Sequence, residues 1–299
     1  MARVAARLAC RALSLRRVTT AFVFAGGGSL GAVEVGMLRA LAQRGVRPDF
    51  VVGSSVGAIN AVQFAADPTP EGVERLERIW RTVRREDVFP VSPLGAMLRV
   101  LTRRGHLVAQ TALRRLLERH LTVRQLQDTV VPCHVITTDL LGGTEVRLSA
   151  GPAVDALLAS TAIPGIFQPV CRAGRHLVDG GVTSNTPIAT AVELGASRVI
   201  VLPTGIACAL DAPPRGVVAV ALHALTLLIA RQLVSDVERL RDRAQMVVVP
   251  PLCPLAVSAY DFSRGGELID RAAESTSRWL DAGGIRNPSV GGPLQPHHH

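Results

Sequence analysis

Three short stretches of this 299-residue chain hold residue types that do chemistry together. Ser55 is framed by Gly53 and Gly57, with a strand-like run before it and a helix-like run after it. A G-x-S-x-G turn between strand and helix needs small neighbours so that the backbone can fold sharply and push the hydroxyl out as a nucleophile. The run Gly26-Gly27-Gly28-Ser29-Leu30-Gly31 follows another strand-like run. Its bare backbone N–H groups could stabilise an oxyanion beside Ser55. The same letters also fit a G-x-G-x-x-G dinucleotide turn, in which Asp49, roughly 20 residues on, would bind a ribose. Asp179-Gly180-Gly181 supplies a carboxylate that could act as base, although an isolated D-G-G is usually a turn. Histidine is the commoner base of serine hydrolases. Of His106, His120, His134, His176 and His223, none sits in a recognisable catalytic loop, and His176 stands nearest to Asp179 along the chain.

The elements that must position these groups follow from the pattern. Thr20 to Ala25 reads as a buried strand, and an apolar-periodic helix runs from the glycine stretch through Leu41 until Gly45 stops it. Phe50 to Val52 is a second strand, followed after the Ser55 turn by a helix over Ala58 to Ala65. Two successive strand, glycine turn, helix units predict a parallel sheet covered by helices. The segment 68–129 is charged and helical in pattern, clearest at Glu71 to Arg85 and Thr111 to Leu121, and is expected to cap or flank the site. Strands are predicted at Val131 to Thr137, Glu145 to Leu148, Gln168 to Arg172, His176 to Val178, Val199 to Leu202 and Met246 to Val249, the third and fourth forming a hairpin around Ala173-Gly174. Thr186-Pro187 opens a helix. A last helix covers about Gly266 to Ala282, and the Gly- and Pro-rich stretch 284–299 is expected to be disordered.

Composition narrows the function classes. Nearly half of the residues are apolar but only 3% are aromatic, which favours α/β layers built from Val, Leu, Ala and Ile. The net charge is +9 and all 33 basic residues are Arg, so anionic surfaces should attract the protein. A single Tyr and no basic-aromatic interleaving argue against nucleic acid. Five widely spaced cysteines make neither a disulfide framework nor a zinc site and are expected to be reduced and mostly buried. The longest apolar stretch, Val217 to Ala230, contains His223 and is shorter than the roughly 20 residues of a membrane span, which points to a buried core helix. The arm 1–17 is a poor secretory signal and reads as a frayed or membrane-lying basic segment. The His run at 297–299 reads as a remnant rather than a metal site, and no metal or cofactor is expected.

Four stretches, GGGSLGAVEVGML, VVGSSVGAIN, ASTAIPGIFQPV and DGGVTSNTPI, resemble the patatin-like phospholipase family in order and approximate spacing, from about Val18 to Ala282. That resemblance implies a hydrolase domain over 18–283 with a three-layer α/β/α fold and a mainly parallel sheet. It implies a Ser55 nucleophile with Asp179 as its partner and an oxyanion hole from Gly26, Gly27 and Gly28. Gly31, Gly53, Gly57, Gly180 and Gly181 complete the motifs, and the expected activity is hydrolysis of lipid acyl esters in the cytoplasm or at a membrane surface. Many members carry Arg or Lys where this chain has Leu30, and losing a cation that would hold phosphate shifts the expected substrate toward simple esters or lysolipids. Ile166 and Phe167 are candidates for an acyl pocket, Ser184 and Asn185 for orienting the aspartate, and Asp139 for a structural role. The rival readings are a nucleotide-dependent oxidoreductase and a degenerate, membrane-associated binding module.

Overall fold

The computed structural model describes residues 18–90, 108–205 and 216–286. The arm 1–17, the middle of the 68–129 segment, His106, Cys10, Cys208 and nearly all of the 284–299 stretch lie outside the described residues. The elements in chain order are β1 (Thr20–Phe24), a 3-10 turn (Gly28–Leu30), α1 (Gly31–Gln43), β2 (Phe50–Ser54), α2 (Val56–Ala66), α3 (Pro70–Thr82), α4 (Arg85–Val88) and α5 (Thr111–His120). Then come β3 (Cys133–Asp139), β4 (Thr144–Leu148), α6 (Ala153–Ser160), β5 (Val170–Arg172), β6 (Arg175–Asp179), α7 (Gly181–Ser184) and α8 (Ile188–Glu193). The chain finishes with β7 (Arg198–Leu202), α9 (Val217–Leu240), β8 (Gln245–Val248) and α10 (Gly265–Asp281).

The strands form one sheet in the order β5-β6-β3-β2-β1-β7-β8, with β4 also paired to β3. Its centre, from β3 to β8, is parallel, and β4, β5 and β6 are antiparallel additions. The period-2 alternation of a strand sends successive side chains to opposite faces. Phe22, Phe24, Val51, Ile200, Leu202 and Val247 accordingly join a core with α1, α2 and α10. Ala21, Val23, Val52, Val199, Val201 and Val248 join a second core with α8 and α9 on the other face. The result is the predicted three-layer α/β/α architecture.

The sequence reading needs correction at four places. The helix expected over Glu71 to Arg85 ends at Thr82, where Val83 turns extended, and restarts as the short α4. Pro187 sits at the cap of α8, one residue ahead of the helix. Of the described cysteines only Cys133 is buried, while Cys171 and Cys253 are exposed. The apolar stretch from Val217 is not a buried core helix. It begins the 24-residue α9, where Val220, Leu227 and Leu228 are exposed and, among the described side chains, the first buried one is Leu233.

Register on β3 decides where the site forms. β4 pairs with Val135 through Asp139 and so occupies one edge of that strand. The other edge is shared: β2 covers it up to Ser54 opposite Ile136, and β6 comes from the opposite direction to end with Asp179 opposite Thr137. Two strands thus meet end to end on consecutive positions of a third, which brings Ser55, just past the tip of β2, to Asp179 at the tip of β6.

Candidate active site

Ser55 follows β2 with φ 53° and ψ −128°, a left-handed conformation that a side-chain-bearing residue adopts only when its surroundings impose it. The imposing contacts are visible on both sides. A side-chain carbon on Gly57 would meet the carbonyl oxygens of Phe24 and Ala25 at 2.6 and 2.5 Å, and one on Gly53 would meet the Gly57 carbonyl at 2.5 Å. The glycines therefore let α2 start directly against β1 and β2, with its N-terminal dipole at the serine. Ser54 is fully buried, whereas Ser55 is half-buried.

The Ser55 hydroxyl donates a 2.7 Å hydrogen bond to Asp179 Oδ2. Asp179 Oδ1 accepts a second, at 2.7 Å, from the Gly181 N–H. Burial pushes the Asp179 carboxyl up to about 6, and the bonds from Ser55 and Gly181 pull it partly back. Asp179 therefore combines ionisation at neutral pH with more proton affinity than a solvated carboxylate.

The glycine run lies against Ser55, since a side-chain carbon on Gly26 would come within 3.0 Å of Ser55 Cβ. Asn185 grips Gly26 twice, its carbonyl accepting the Gly26 N–H at 3.0 Å and its Nδ2 donating to the Gly26 carbonyl at 3.1 Å. Thr204 Oγ1 donates to that same carbonyl at 2.9 Å. Downstream, Ser29 N–H donates to the Ala259 carbonyl at 2.8 Å. Between these anchors Gly28 takes φ 59°, and among the described residues nothing accepts the N–H groups of Gly27 and Gly28. Leu30 is 1% exposed and packs into the core.

Several contributors were not singled out in the sequence. Ser160 Oγ accepts the Ser55 N–H at 2.9 Å and donates to the Ile136 carbonyl at 2.6 Å, tying the Ser55 backbone to β3. Tyr260 lies close enough to Asp179 for its phenol to be pushed up to about 12, by burial first and by the carboxylate second. Its ring is tilted against Phe89 at 6.0 Å, and Phe89 in turn stacks on Phe167 at 5.4 Å. Phe167 thus lies in a small aromatic and aliphatic group with Val108, Ala162 and the partly buried Ile166.

Other candidates fall away from this point. Asp49 immediately precedes β2 and accepts the Thr20 N–H at 2.8 Å, at the opposite end of the strands from the glycine run, so no ribose could bridge the two. His176 is exposed and an odd number of residues from Asp179 on β6, so it faces the other side of the sheet. His134 bonds Ser149, and no described histidine reaches Ser55 or Asp179. Asn185 holds the glycine run rather than the aspartate, and Asp139 accepts the Leu141 N–H in a local turn.

The family model for patatin-like phospholipase matches residues 22–192. The patatin-like phospholipase domain-containing protein 7 of Rattus norvegicus is 29% identical over 187 residues, which are 62% of this chain and 13% of that protein. Lysophospholipase NTE1 of Mycosarcoma maydis is 26% identical over 208 residues, 67% of this chain and 10% of that protein. The chain therefore spans only a small part of the length of these relatives. Among solved structures, human GIVD cytosolic phospholipase A2 in complex with methyl gamma-linolenyl fluorophosphonate superposes with a TM-score of 0.45 at 14% identity, covering 90% of this chain and 58% of that one. The family match takes in the glycine run, the Ser55 turn and Asp179 in one continuous span, and the chain belongs to the patatin-like phospholipase family.

Proposed function

We propose that the chain hydrolyses acyl esters of lipids through a Ser55–Asp179 dyad, in two steps. Asp179 Oδ2 takes the Ser55 proton as Oγ attacks the ester carbonyl, and the oxyanion is held by the N–H groups of Gly27 and Gly28, with Gly26 serving as the anchored end of that loop. Collapse expels the alcohol, which receives the proton back from Asp179. Water, deprotonated by the same carboxylate, then attacks the acyl-enzyme, and collapse releases the acid while Asp179 returns that proton to the departing Ser55 Oγ.

The observation that carries this reading is the 2.7 Å contact between a strained, glycine-framed serine and a buried carboxyl raised to about 6. A carboxylate is a weak base for an alcohol, and burial supplies the proton affinity it lacks in water. The group formed by Phe89, Phe167 and Tyr260 offers an apolar wall for an acyl chain. With Leu30 withdrawn into the core, no cation from that position meets a phosphate, so lysolipids and simpler esters should be turned over relatively better than diacyl phospholipids.

The test is a substrate series of short-chain nitrophenyl esters, lysophospholipids and diacyl phospholipids, run beside a fluorophosphonate probe. Wild-type turnover with labelling at Ser55, both lost in Ser55→Ala, is the expected result. A folded wild-type protein that neither turns over any ester nor takes up the probe would leave a binding module instead.

A further inference from the structure

The exposed apolar side chains are distributed unevenly. Among the described residues eight large hydrophobic side chains are exposed. Val18 and Val130 precede β1 and β3, at the edge of the sheet where the parallel strands begin. The other six lie where those strands end, the same edge at which Ser55 and the glycine run emerge. Leu140 and Leu141 form the tip directly after β3, with Leu141 82% exposed. Val182 lies three residues beyond Asp179 in α7. Val220, Leu227 and Leu228 belong to α9.

Topology fixes where that part of α9 stands. β7 and β8 are parallel neighbours, so the helix joining them must start at the ends of the strands and run back to their beginnings. A helix of 24 residues is about 36 Å long. A strand of 5 residues such as β7 spans only about 17 Å. The excess must overhang the sheet. Leu233, Val237 and Leu240 pack on the β7 and β8 side chains, whereas no described side chain from Gly216 to Gln232 is buried. At the transition, Gln232 Nε2 donates to the Thr183 carbonyl at 3.0 Å, which docks the base of the overhang onto the short segment that carries Asp179.

We propose that this edge is a lipid-docking face, on which Leu140, Leu141, Val182, Val220, Leu227 and Leu228 enter the headgroup and upper acyl region of a membrane or micelle. The proposal rests on the reading of Ser55 as an ester hydrolase and deepens it by naming how the site meets its substrate. Charge selects lipid as the occupant. Arg231 is exposed one turn along from Leu227 and Leu228, and α9 carries no acidic residue from Val217 to Ser235, on a chain of net charge +9. Leucines followed by arginine, with no acid between, match the apolar and anionic layers of a lipid surface. The position agrees, because a protein seated on all three elements would cover the exit of the site, while a lipid surface brings the ester to it.

The experiment uses the full chain as Ser55→Ala, so that binding is read without turnover, in flotation with phosphatidylcholine vesicles made with and without phosphatidylglycerol. Leu141→Ser/Leu227→Ser/Leu228→Ser should lower partitioning at least tenfold, given the roughly 0.8 kcal/mol per buried methylene that each leucine forfeits. Val130→Ser at the opposite edge should not change it. Arg231→Glu should weaken binding only where phosphatidylglycerol is present. In the Ser55 background the triple variant should hydrolyse a soluble nitrophenyl ester within twofold of the unmodified chain. As a second reading that survives any folding defect, the indole of Leu141→Trp should shift its emission to the blue on vesicles. Unchanged partitioning of a folded triple variant, absence of the blue shift, or conversion of a dimer to a monomer by the triple variant would each overturn the docking face. Lipid binding that follows the pattern in a protein inert toward every ester would instead overturn the hydrolase reading and spare the face.

Discussion

Replacing Asp179 by Asn keeps the shape that accepts the Ser55 hydroxyl and removes the ability to take its proton. Ester turnover should therefore fall by roughly 10²–10⁴-fold. In the unmodified chain kcat/KM should rise with pH and level off above about 6, where the buried carboxyl has ionised. Stability should move in the other sense. The folded state still holds a proton at pH values where the unfolded chain, near 3.8, has released it, so stability declines as pH rises from about 4 to about 6. Asp179→Asn should consequently melt at higher temperature than the parent at pH 8, by the equivalent of up to about 3 kcal/mol, with the gap closing toward pH 4. A melting point lower at pH 8 would show that the carboxylate is not held against its solvation preference. Single Gln replacements of His120, His134, His176 and His223 should retain most activity on a soluble ester. Ser55 and Asp179, which the structure brings into contact, were legible in the sequence because their turn chemistry is local and each sits in a recognisable motif. Ser160, Thr204 and Tyr260 were not, since each acts through one bond or one contact with a segment remote in the chain, and isolated polar residues carry no periodicity.

The helices around the site transmit its geometry through close backbone approach and one buried polar cluster. Gly57→Ala would drive a methyl into the carbonyls of Phe24 and Ala25, and because those are backbone atoms at the end of β1 and the residue after it, they cannot swing aside as a side chain would. The expected cost is about 1–3 kcal/mol in urea unfolding, with a larger fractional loss of turnover as α2 lifts and the Ser55 elbow relaxes. Glu34 of α1 is fully buried, and burial raises its carboxyl well above the usual range, against the pull of the Asn60 hydrogen bond. Its Oε2 accepts from Asn60 Nδ2 at 2.7 Å, and Asn60 Oδ1 accepts from the Trp80 indole at 2.9 Å, so α1, α2 and α3 are stitched by one buried hydrogen-bond chain. Glu34→Gln should stay within about 1 kcal/mol of the parent, whereas Glu34→Leu strips Asn60 of an acceptor and should cost about 1–3 kcal/mol. Element type was readable from hydrophobic period almost throughout. What the period did not report is the burial of α9: periodicity shows which residues are apolar, and only the mismatch between a 24-residue helix and a 5-residue strand tells that part of the helix must run past the sheet, where Val220, Leu227 and Leu228 are exposed.

At the scale of the molecule, a surplus of arginine and an edge of exposed leucines act on different ranges. Charge attraction extends over a Debye length of about 8 Å at physiological ionic strength and fades with salt, while apolar insertion does not. Raising salt should thus reduce association with phosphatidylglycerol-containing vesicles and leave hydrolysis of a soluble ester nearly constant; parallel loss of both would assign the salt effect to the catalytic groups instead. The end-to-end meeting of β2 and β6 on β3 has a different consequence, in time rather than in space. Ser55 and Asp179 are 124 residues apart and touch only when three strands have reached their final register on one another. Contacts of such long range form late, after the entropy of the intervening loops has been surrendered. Fluorophosphonate capture during refolding is therefore a stopwatch for topology: it should begin after helix content is complete by circular dichroism, and its lag measures how long the chain takes to close the gap between two strand tips.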